Sequence, residues 1–128
     1  INEAFRRYIG NGGPAYVEKH VISAADAIGL IRSAGGMAVM AHPGSTRRDE
    51  LIPKFAEAGL AGLEVYHPEH SPTEQRYYRQ LAEKHGLVVT GGTDYHGPRE
   101  GRADLGDLCI PYQILSTMRL RWKSGNSD

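Results

Sequence analysis

The chain has 128 residues, and its 15 Lys and Arg side chains balance 15 Asp and Glu side chains, so the formal net charge is +0. This length suits one domain with a core of ordinary size, and the balanced charge excludes a protein that coats a polyanion, although local basic patches remain open. The single cysteine, Cys109, cannot form an internal disulfide, and its apolar neighbours predict a buried free thiol. No apolar run approaches the roughly 18 residues of a membrane helix, and no signal-peptide pattern opens the chain. We therefore predict a soluble, cytoplasmic protein with no membrane partner.

The first predicted elements are two helices separated by a flexible segment. Residues 2–9 predict a short helix that stops in the glycine-rich segment 10–14. Ser23 is a good N-cap, and Asp26 stands three residues later as a capping-box partner for a helix over 23–34. The apolar residues of this helix are spaced for one buried face: Ala24, Ile28, Leu30 and Ile31.

The rest of the chain is predicted to alternate strands and helices. The predicted elements are a strand over 37–42, a helix over about 49–59, a strand over 61–66, a helix over about 72–85, a strand over 87–92 and a last helix over 110–122. The connections are only a few residues long, and such alternation implies right-handed βαβ units. The predicted fold class is therefore α/β with parallel strands.

Imidazole or carboxylate side chains follow all three predicted strands. They are His42 after the first, His67 and His70 after the second, and Asp94 and His96 after the third. Active sites of parallel α/β folds collect at the carboxyl ends of the strands. Asp94 and His96 are two residues apart, so in extended backbone both can reach one region of space. Mixed nitrogen and oxygen groups suit a divalent transition metal such as zinc, manganese or iron, so the pattern predicts a metal site.

Each of these residues also has a purely structural explanation. A single histidine is more often a surface or hydrogen-bonded core residue than a ligand, and Asp94 can cap a turn. Glu64 lies inside the second strand and needs a partner, so it is a candidate for orienting a ligand. His67 and His70 flank the predicted site and are candidates for catalytic contact with substrate or metal.

Three motifs carry a family resemblance. AVMAHPG (38–44), GLEVYHPEHSPTE (62–74) and VVTGGTDYHG (88–97) resemble the last three strands of the PHP (polymerase and histidinol phosphatase) domain. The nucleotide-phosphatase branch of that family is the most similar. The likeness runs from about Phe5 to Leu108, and the three motifs in this order make it specific.

The resemblance implies a fold and a division of the chain. It implies the C-terminal three or so β/α units of a distorted (β/α)7 TIM-like barrel. Residues 1–14 would be the end of a helical insertion, 15–122 the C-terminal part of the barrel, and 123–128 a tail. In the whole family domain, up to three divalent ions (Mn, Zn or Fe) would lie at the carboxyl ends of the strands.

The resemblance also implies roles for individual residues. His42 stands at the HPG position, and Asp94 and His96 stand at the D-x-H position, so all three would be metal ligands. The candidates for binding the substrate phosphate are Arg47, Arg48, Arg99 and Arg102. The implied activity is hydrolysis of 3′,5′-nucleoside bisphosphates or short oligoribonucleotides. Our own hypothesis is that His67 or His70 helps the leaving group or contacts the phosphate.

The early ligands of the family are absent from the chain. No H-x-H pair occurs anywhere in the 128 residues. Three strands cannot close a barrel, so we expect the partner of this chain to be a missing N-terminal part of the same protein, and we expect little catalysis from this chain alone. Two alternatives stay open: a non-catalytic PHP module with a structural or binding role, and a histidinol-phosphate phosphatase.

Overall fold

The part of the chain that the structure describes contains one sheet of three parallel strands. The structure, a computed structural model, describes residues 2–18, 20–98 and 103–125. The strands are β1 (Val39–Met40), β2 (Gly62–Tyr66) and β3 (Val88–Gly91), in the order β1-β2-β3. Both neighbouring pairs are parallel, which confirms the predicted α/β class with parallel strands.

Helices separate the strands along the chain. The bounds are α1 (Asn2–Ala4), which continues as a π-helical turn (Phe5–Ile9), α2 (Ala24–Ser33), α3 (Pro43–Thr46), a 3-10 turn (Asp49–Leu51) that leads into α4 (Ile52–Glu57), α5 (Pro72–Lys84) and α6 (Gln113–Gly125). The predicted N-cap of α2 is confirmed, because the Ser23 hydroxyl accepts a hydrogen bond from the Asp26 N–H at 3.1 Å. In α5, Ser71 and Glu74 form a capping box, as their spacing predicts.

Three elements differ from the sequence prediction by more than one residue at an end. The strand predicted over 37–42 is reduced to Val39 and Met40, which pair with Gly62 and Leu63 of β2. The helix predicted over 49–59 divides into the 3-10 turn and α4, where Pro53 lies in the first turn and has no N–H to continue a helix from the preceding residues. Helix α6 ends at Gly125, inside the segment predicted as a tail, and the last three residues lie outside the described ranges.

The core packs around β2. Leu63 and Val65 are fully buried, and they lie on one face of β2 because side chains two residues apart in a strand share a face. Helix α5 contributes Tyr78 and Ala82 to the same cluster. The other buried residues of the cluster are Ile28, Ala38, Ile52, Leu60 and Leu87.

Two burial predictions were wrong. Of the apolar residues of α2, only Ile28 is buried, while Leu30 is 67% exposed and Ile31 is 42% exposed. Cys109 is an exposed free thiol, because it lies in the loop between β3 and α6 and not in a packed element. In the described ranges, no helix combines the length and the apolar character that a membrane crossing requires.

Candidate functional site at the strand ends

A row of four aromatic rings lies beyond the carboxyl ends of β1 and β2. His42 follows β1, and its ring centroid lies 5.8 Å from that of His67, which follows β2. The row continues from His67 to His70 at 5.2 Å and from His70 to Tyr78 of α5 at 5.1 Å. The structure therefore brings together three histidines that sequence reasoning placed at two different strand ends.

His42 is held in an unusual backbone conformation. Its φ is 29° and its ψ is 63°, a left-handed conformation that non-glycine residues seldom adopt. The backbone N–H of His42 donates to Glu64 Oε2 at 2.7 Å. Glu64 also approaches β3, since a methyl group added at Gly92 would lie 3.6 Å from its Oε1. Glu64 is the sequence candidate for orienting a ligand, and it accepts a hydrogen bond from the backbone of the predicted ligand His42.

His67 has one ring nitrogen in use and one without a partner. It is 4% exposed, and its Nδ1 accepts a hydrogen bond from the Glu69 N–H at 3.2 Å. Because Nδ1 accepts, the neutral ring carries its proton on Nε2. His67 Nε2 is buried and has no hydrogen-bond partner among the residues that the structure describes. In this arrangement His67 presents a buried N–H donor.

His70 is also 4% exposed, but both of its ring nitrogens have partners. Nδ1 lies 2.9 Å from the Val65 carbonyl oxygen, and Nε2 accepts from the Gly44 N–H at 3.2 Å. His70 therefore has no ring nitrogen left for a substrate unless one of these bonds opens. The predicted catalytic role of His70 stays a prediction.

Tyr78 is the fourth ring of the row, lies 5.1 Å from the Tyr77 ring on its other side, and stays neutral at physiological pH. Burial, followed by the nearby Asp49 carboxylate, raises the pKa of Tyr78 to about 12. The Tyr78 hydroxyl donates to Asp49 Oδ1 at a distance of 3.4 Å. A neutral phenol in this place supports the His70 ring without adding charge to the site.

Asp94 and His96 contact each other at the third strand end. Asp94 has a φ of 51°, so two of the three predicted ligands have left-handed backbone conformations. His96 Nδ1 lies 2.5 Å from the Asp94 carbonyl oxygen and 3.6 Å from Asp94 Oδ2. Their side chains are 53% exposed for His96 and 40% exposed for Asp94. Strained backbone of this kind collects at functional sites, where it costs about 1–3 kcal/mol per residue.

The described residues supply only part of what a metal site requires. Within residues 2–18, 20–98 and 103–125, no group of three His, Cys, Asp or Glu side chains is gathered so that it could hold a metal ion. Two buried ring nitrogens nevertheless lack partners, His42 Nδ1 and His67 Nε2. Buried polar atoms are nearly always hydrogen-bonded, so an unpartnered imidazole nitrogen at a strand end fits a ligand or substrate contact. His42 suits a metal, whereas the donor at His67 Nε2 suits an oxygen atom.

The predicted phosphate-binding arginines are only partly covered by the structure. Arg47 is exposed and takes a left-handed conformation, with a φ of 49°, at the end of α3. Arg48 is also exposed, and its Nε pairs with Glu50 Oε1 at 2.6 Å. Arg99 and Arg102 lie outside the described residues. The phosphate-binding role stays a prediction for all four.

Sequence reasoning could not separate the roles of His67 and His70. Both belong to the stretch HPEH, and nothing local distinguishes the two imidazoles. The difference depends on Gly44, a residue that lies 26 positions before His70 in the chain and meets it only in the folded structure.

Comparison with known proteins shows similarity to enzymes that act on phosphate esters. The chain is 42% identical over 111 residues to a 3′,5′-nucleoside bisphosphate phosphatase from Chromobacterium violaceum, covering 83% of this chain and 39% of that protein. It is 39% identical over 93 residues to a phosphoribosyl 1,2-cyclic phosphate 1,2-diphosphodiesterase from Eggerthella lenta, covering 73% of this chain and 36% of that protein. No protein-family profile matches the chain.

The fold is also similar to that of a solved structure. A protein from Bifidobacterium adolescentis, provisionally described as a metal-dependent phosphoesterase, matches with a TM-score of 0.70 and 29% identity. The match covers 94% of this chain and 44% of that structure. The chain is therefore similar over most of its own length to phosphate-ester-cleaving enzymes, and it spans less than half the length of each protein compared.

Proposed function

We propose that this chain is the C-terminal part of a metal-dependent phosphoesterase of the PHP type. Its substrates are nucleotide-type phosphate esters, either 3′,5′-nucleoside bisphosphates or short oligoribonucleotides. The observation that carries the proposal is the pair of buried, unpartnered ring nitrogens, His42 Nδ1 and His67 Nε2, at the ends of two neighbouring strands. The similarity to a nucleoside bisphosphate phosphatase supports the substrate class. The activity is assigned to the complete protein that contains this chain, whose other barrel strands lie outside it.

His42, Asp94 and His96 are the proposed metal ligands. They would hold divalent Mn, Zn or Fe ions, with Asp94 and His96 each on a different ion, and such ions would supply stabilisation of charge on phosphoryl oxygens and a more acidic bound water. The chain's own contribution is to hold the imidazole of His42 in place. It does so through the bond from the His42 N–H to Glu64 and through the left-handed backbone at the strand end.

His67 is the proposed hydrogen-bond donor to the substrate. Its Nε2–H is buried and has no partner among the described residues, so it is free to donate a hydrogen bond to a phosphoryl oxygen or to the leaving oxygen. A donor in a site of low dielectric constant binds developing negative charge more strongly than the same donor in water. Arg47, with Arg99 and Arg102, is proposed to bind the non-reacting phosphate, whereas Arg48 must first leave Glu50.

The metal assignment is tested by Asp94→Asn in the complete gene product. Asparagine tolerates the left-handed conformation at φ 51°, so the variant removes the charge without adding backbone strain. We expect loss of bound metal, measured by elemental analysis, and a fall in turnover of roughly 100-fold or more. Asp107→Asn, an exposed carboxylate in the loop before α6, is the matched control. Metal content and rate that stay unchanged in Asp94→Asn would refute the assignment.

The substrate class is tested by hydrolysis of three compounds, with the products of each separated by chromatography. A 3′,5′-nucleoside bisphosphate should be hydrolysed faster than a cyclic phosphodiester or histidinol phosphate. Preference for histidinol phosphate would place the protein in the other phosphatase branch. Retention of metal with no turnover of any of the three would favour the non-catalytic module.

A further inference from the structure

His70 is tied to the turn that follows His42. The turn begins helix α3, and the Gly44 N–H donates to His70 Nε2 at 3.2 Å. A methyl group added at Gly44 would lie 2.7 Å from His70 Cδ2 and 2.8 Å from Nε2. The backbone of the turn and the imidazole ring are therefore in direct contact, and only glycine leaves room for this approach.

The other contacts of His70 hold it rigidly. Its Nδ1 bonds the Val65 carbonyl at 2.9 Å, and its backbone carbonyl accepts from Gln75 Nε2 at 3.0 Å. Its backbone N–H donates to the His67 carbonyl at 3.0 Å, and its ring packs against Tyr78. An imidazole with this many partners has one orientation, and the pair of ring bonds also sets its tautomer, with the proton on Nδ1.

Two side chains from β2 and the segment just after it thus hold the turn that follows β1. Glu64, in β2, accepts from the His42 N–H, and His70, just after β2, accepts from the Gly44 N–H. The left-handed conformation of His42 lies at the start of the segment between these two bonds. Strained backbone persists only where surrounding contacts over-determine it, and these two bonds do so.

We propose that His70 is a positioning residue, held as the neutral Nδ1–H tautomer, that fixes the Pro43–Gly44 turn and thereby the orientation of His42. This role rests on the proposed function, because the orientation of His42 matters for activity only if His42 is a metal ligand. His70 itself touches no reacting atom. Supporting groups of this kind commonly change metal affinity or activity by about 10–100-fold when removed.

Two amide variants separate the two ring bonds of His70. In His70→Asn, the side-chain NH2 stands near the position of Nδ1 and can still donate to Val65, but no acceptor reaches Gly44. In His70→Gln, the side-chain oxygen extends to the position of Nε2 and can still accept from Gly44, but the donor to Val65 is lost. The pair is matched in chemistry and differs in which bond survives.

Hydrogen exchange of the Gly44 amide is the first measurement, made by NMR on the complete gene product. We expect the Gly44 amide to exchange about 5–10-fold faster in His70→Asn than in the wild type, as the loss of one ordinary hydrogen bond allows, and to keep its protection in His70→Gln. The turnover number should follow the exchange result: kcat should be lower in His70→Asn than in the wild type and close to the wild-type value in His70→Gln, with KM little changed in both. Equal Gly44 exchange in all three proteins would overturn the proposal.

The tautomer of wild-type His70 is the second measurement. Nitrogen-15 spectra should place the proton on Nδ1, and a proton on Nε2 would overturn the proposal even if His70→Asn does not fold. Neither NMR measurement requires turnover. If His70 protects the Gly44 amide but the protein has no phosphoesterase activity, the positioning role stands and the proposed function fails. If the protein is active but His70 does not protect the Gly44 amide, the proposed function stands and the positioning role fails.

Discussion

The ends of β2 and β3 carry the same kinds of side chain but are built differently. After β2, His67 and His70 are each 4% exposed and bond to backbone groups. After β3, Asp94 and His96 lie mainly against each other, with side chains 40% and 53% exposed. Buried polar groups need partners and so acquire a fixed geometry, whereas exposed ones can exchange protein contacts for water. One half of the proposed site is therefore fixed by packing, and the other half depends on a left-handed Asp94.

The packed half should be the most sensitive to loss of core volume. Leu63 is fully buried on β2, so Leu63→Ala should lower the free energy of unfolding by about 2–5 kcal/mol through lost burial and the cavity left behind. Urea unfolding measures the change. Leu30→Ala, at a side chain that is 67% exposed, is the control and should change the free energy by about 0.5 kcal/mol or less. Equal effects of the two substitutions would contradict the placement of the core.

The junction between the two strand ends can be tested with adjacent glycines. A methyl group at Gly91 would lie 2.7 Å from the Tyr66 carbonyl oxygen, so Gly91→Ala must shift β3 against β2. We expect a loss of about 1–3 kcal/mol in the free energy of unfolding. At Gly92 the nearest atom, Glu64 Oε1, is 3.6 Å away, an ordinary contact, so Gly92→Ala is the control. A larger loss for Gly92→Ala than for Gly91→Ala would show that the strand register is different.

Removing the N-terminal cap of α5, which follows His70, should change the free energy of unfolding by a smaller amount. The Ser71 hydroxyl accepts from the Glu74 N–H at 3.3 Å, within the capping box of α5. Ser71→Ala should lower the free energy of unfolding by about 1 kcal/mol, the usual contribution of a cap. Ser71→Thr keeps the hydroxyl and should recover most of the loss in thermal or urea unfolding. If threonine is no better than alanine, the cap does not contribute as the structure indicates.

The smallest expected effect is the pH dependence of the same capping box. Hydrogen bonds from the Ser71 hydroxyl and from the Ser71 backbone N–H lower the pKa of Glu74 below its ordinary value of 4.5. A lowered carboxyl pKa stabilises the fold above the unfolded pKa, and this contribution is lost as the pH falls through the folded pKa. Glu74→Gln should therefore reduce stability at neutral pH and make progressively less difference below pH 4.5.

Unfolding at several pH values measures this dependence. Glu83→Gln, from the same helix, controls for the loss of one carboxylate. A difference between Glu74→Gln and the wild type that stays constant down to strongly acidic pH would contradict the capping role.

Local patterns in the sequence predicted the fold well where neighbours along the chain decide the structure. The capping pairs Ser23–Asp26 and Ser71–Glu74 both form, because their hydrogen bonds span only three residues. The three parallel strands follow from the alternation of short apolar runs with helices. Predictions that required knowledge of which surfaces meet were less successful: Leu30 and Cys109 are exposed despite their apolar surroundings in the sequence.

The sequence by itself determined which functional groups lie at the strand ends, since histidine and aspartate follow the predicted strands in the sequence. Only the tertiary structure decided how that chemistry is divided. It engages both ring nitrogens of His70, leaves Nε2 of His67 without a partner in the described part of the chain, and gives His42 and Asp94 left-handed backbones. The physical reason is that a side chain's identity is local, whereas its hydrogen-bond partners come from segments that meet only when the sheet and helices pack together.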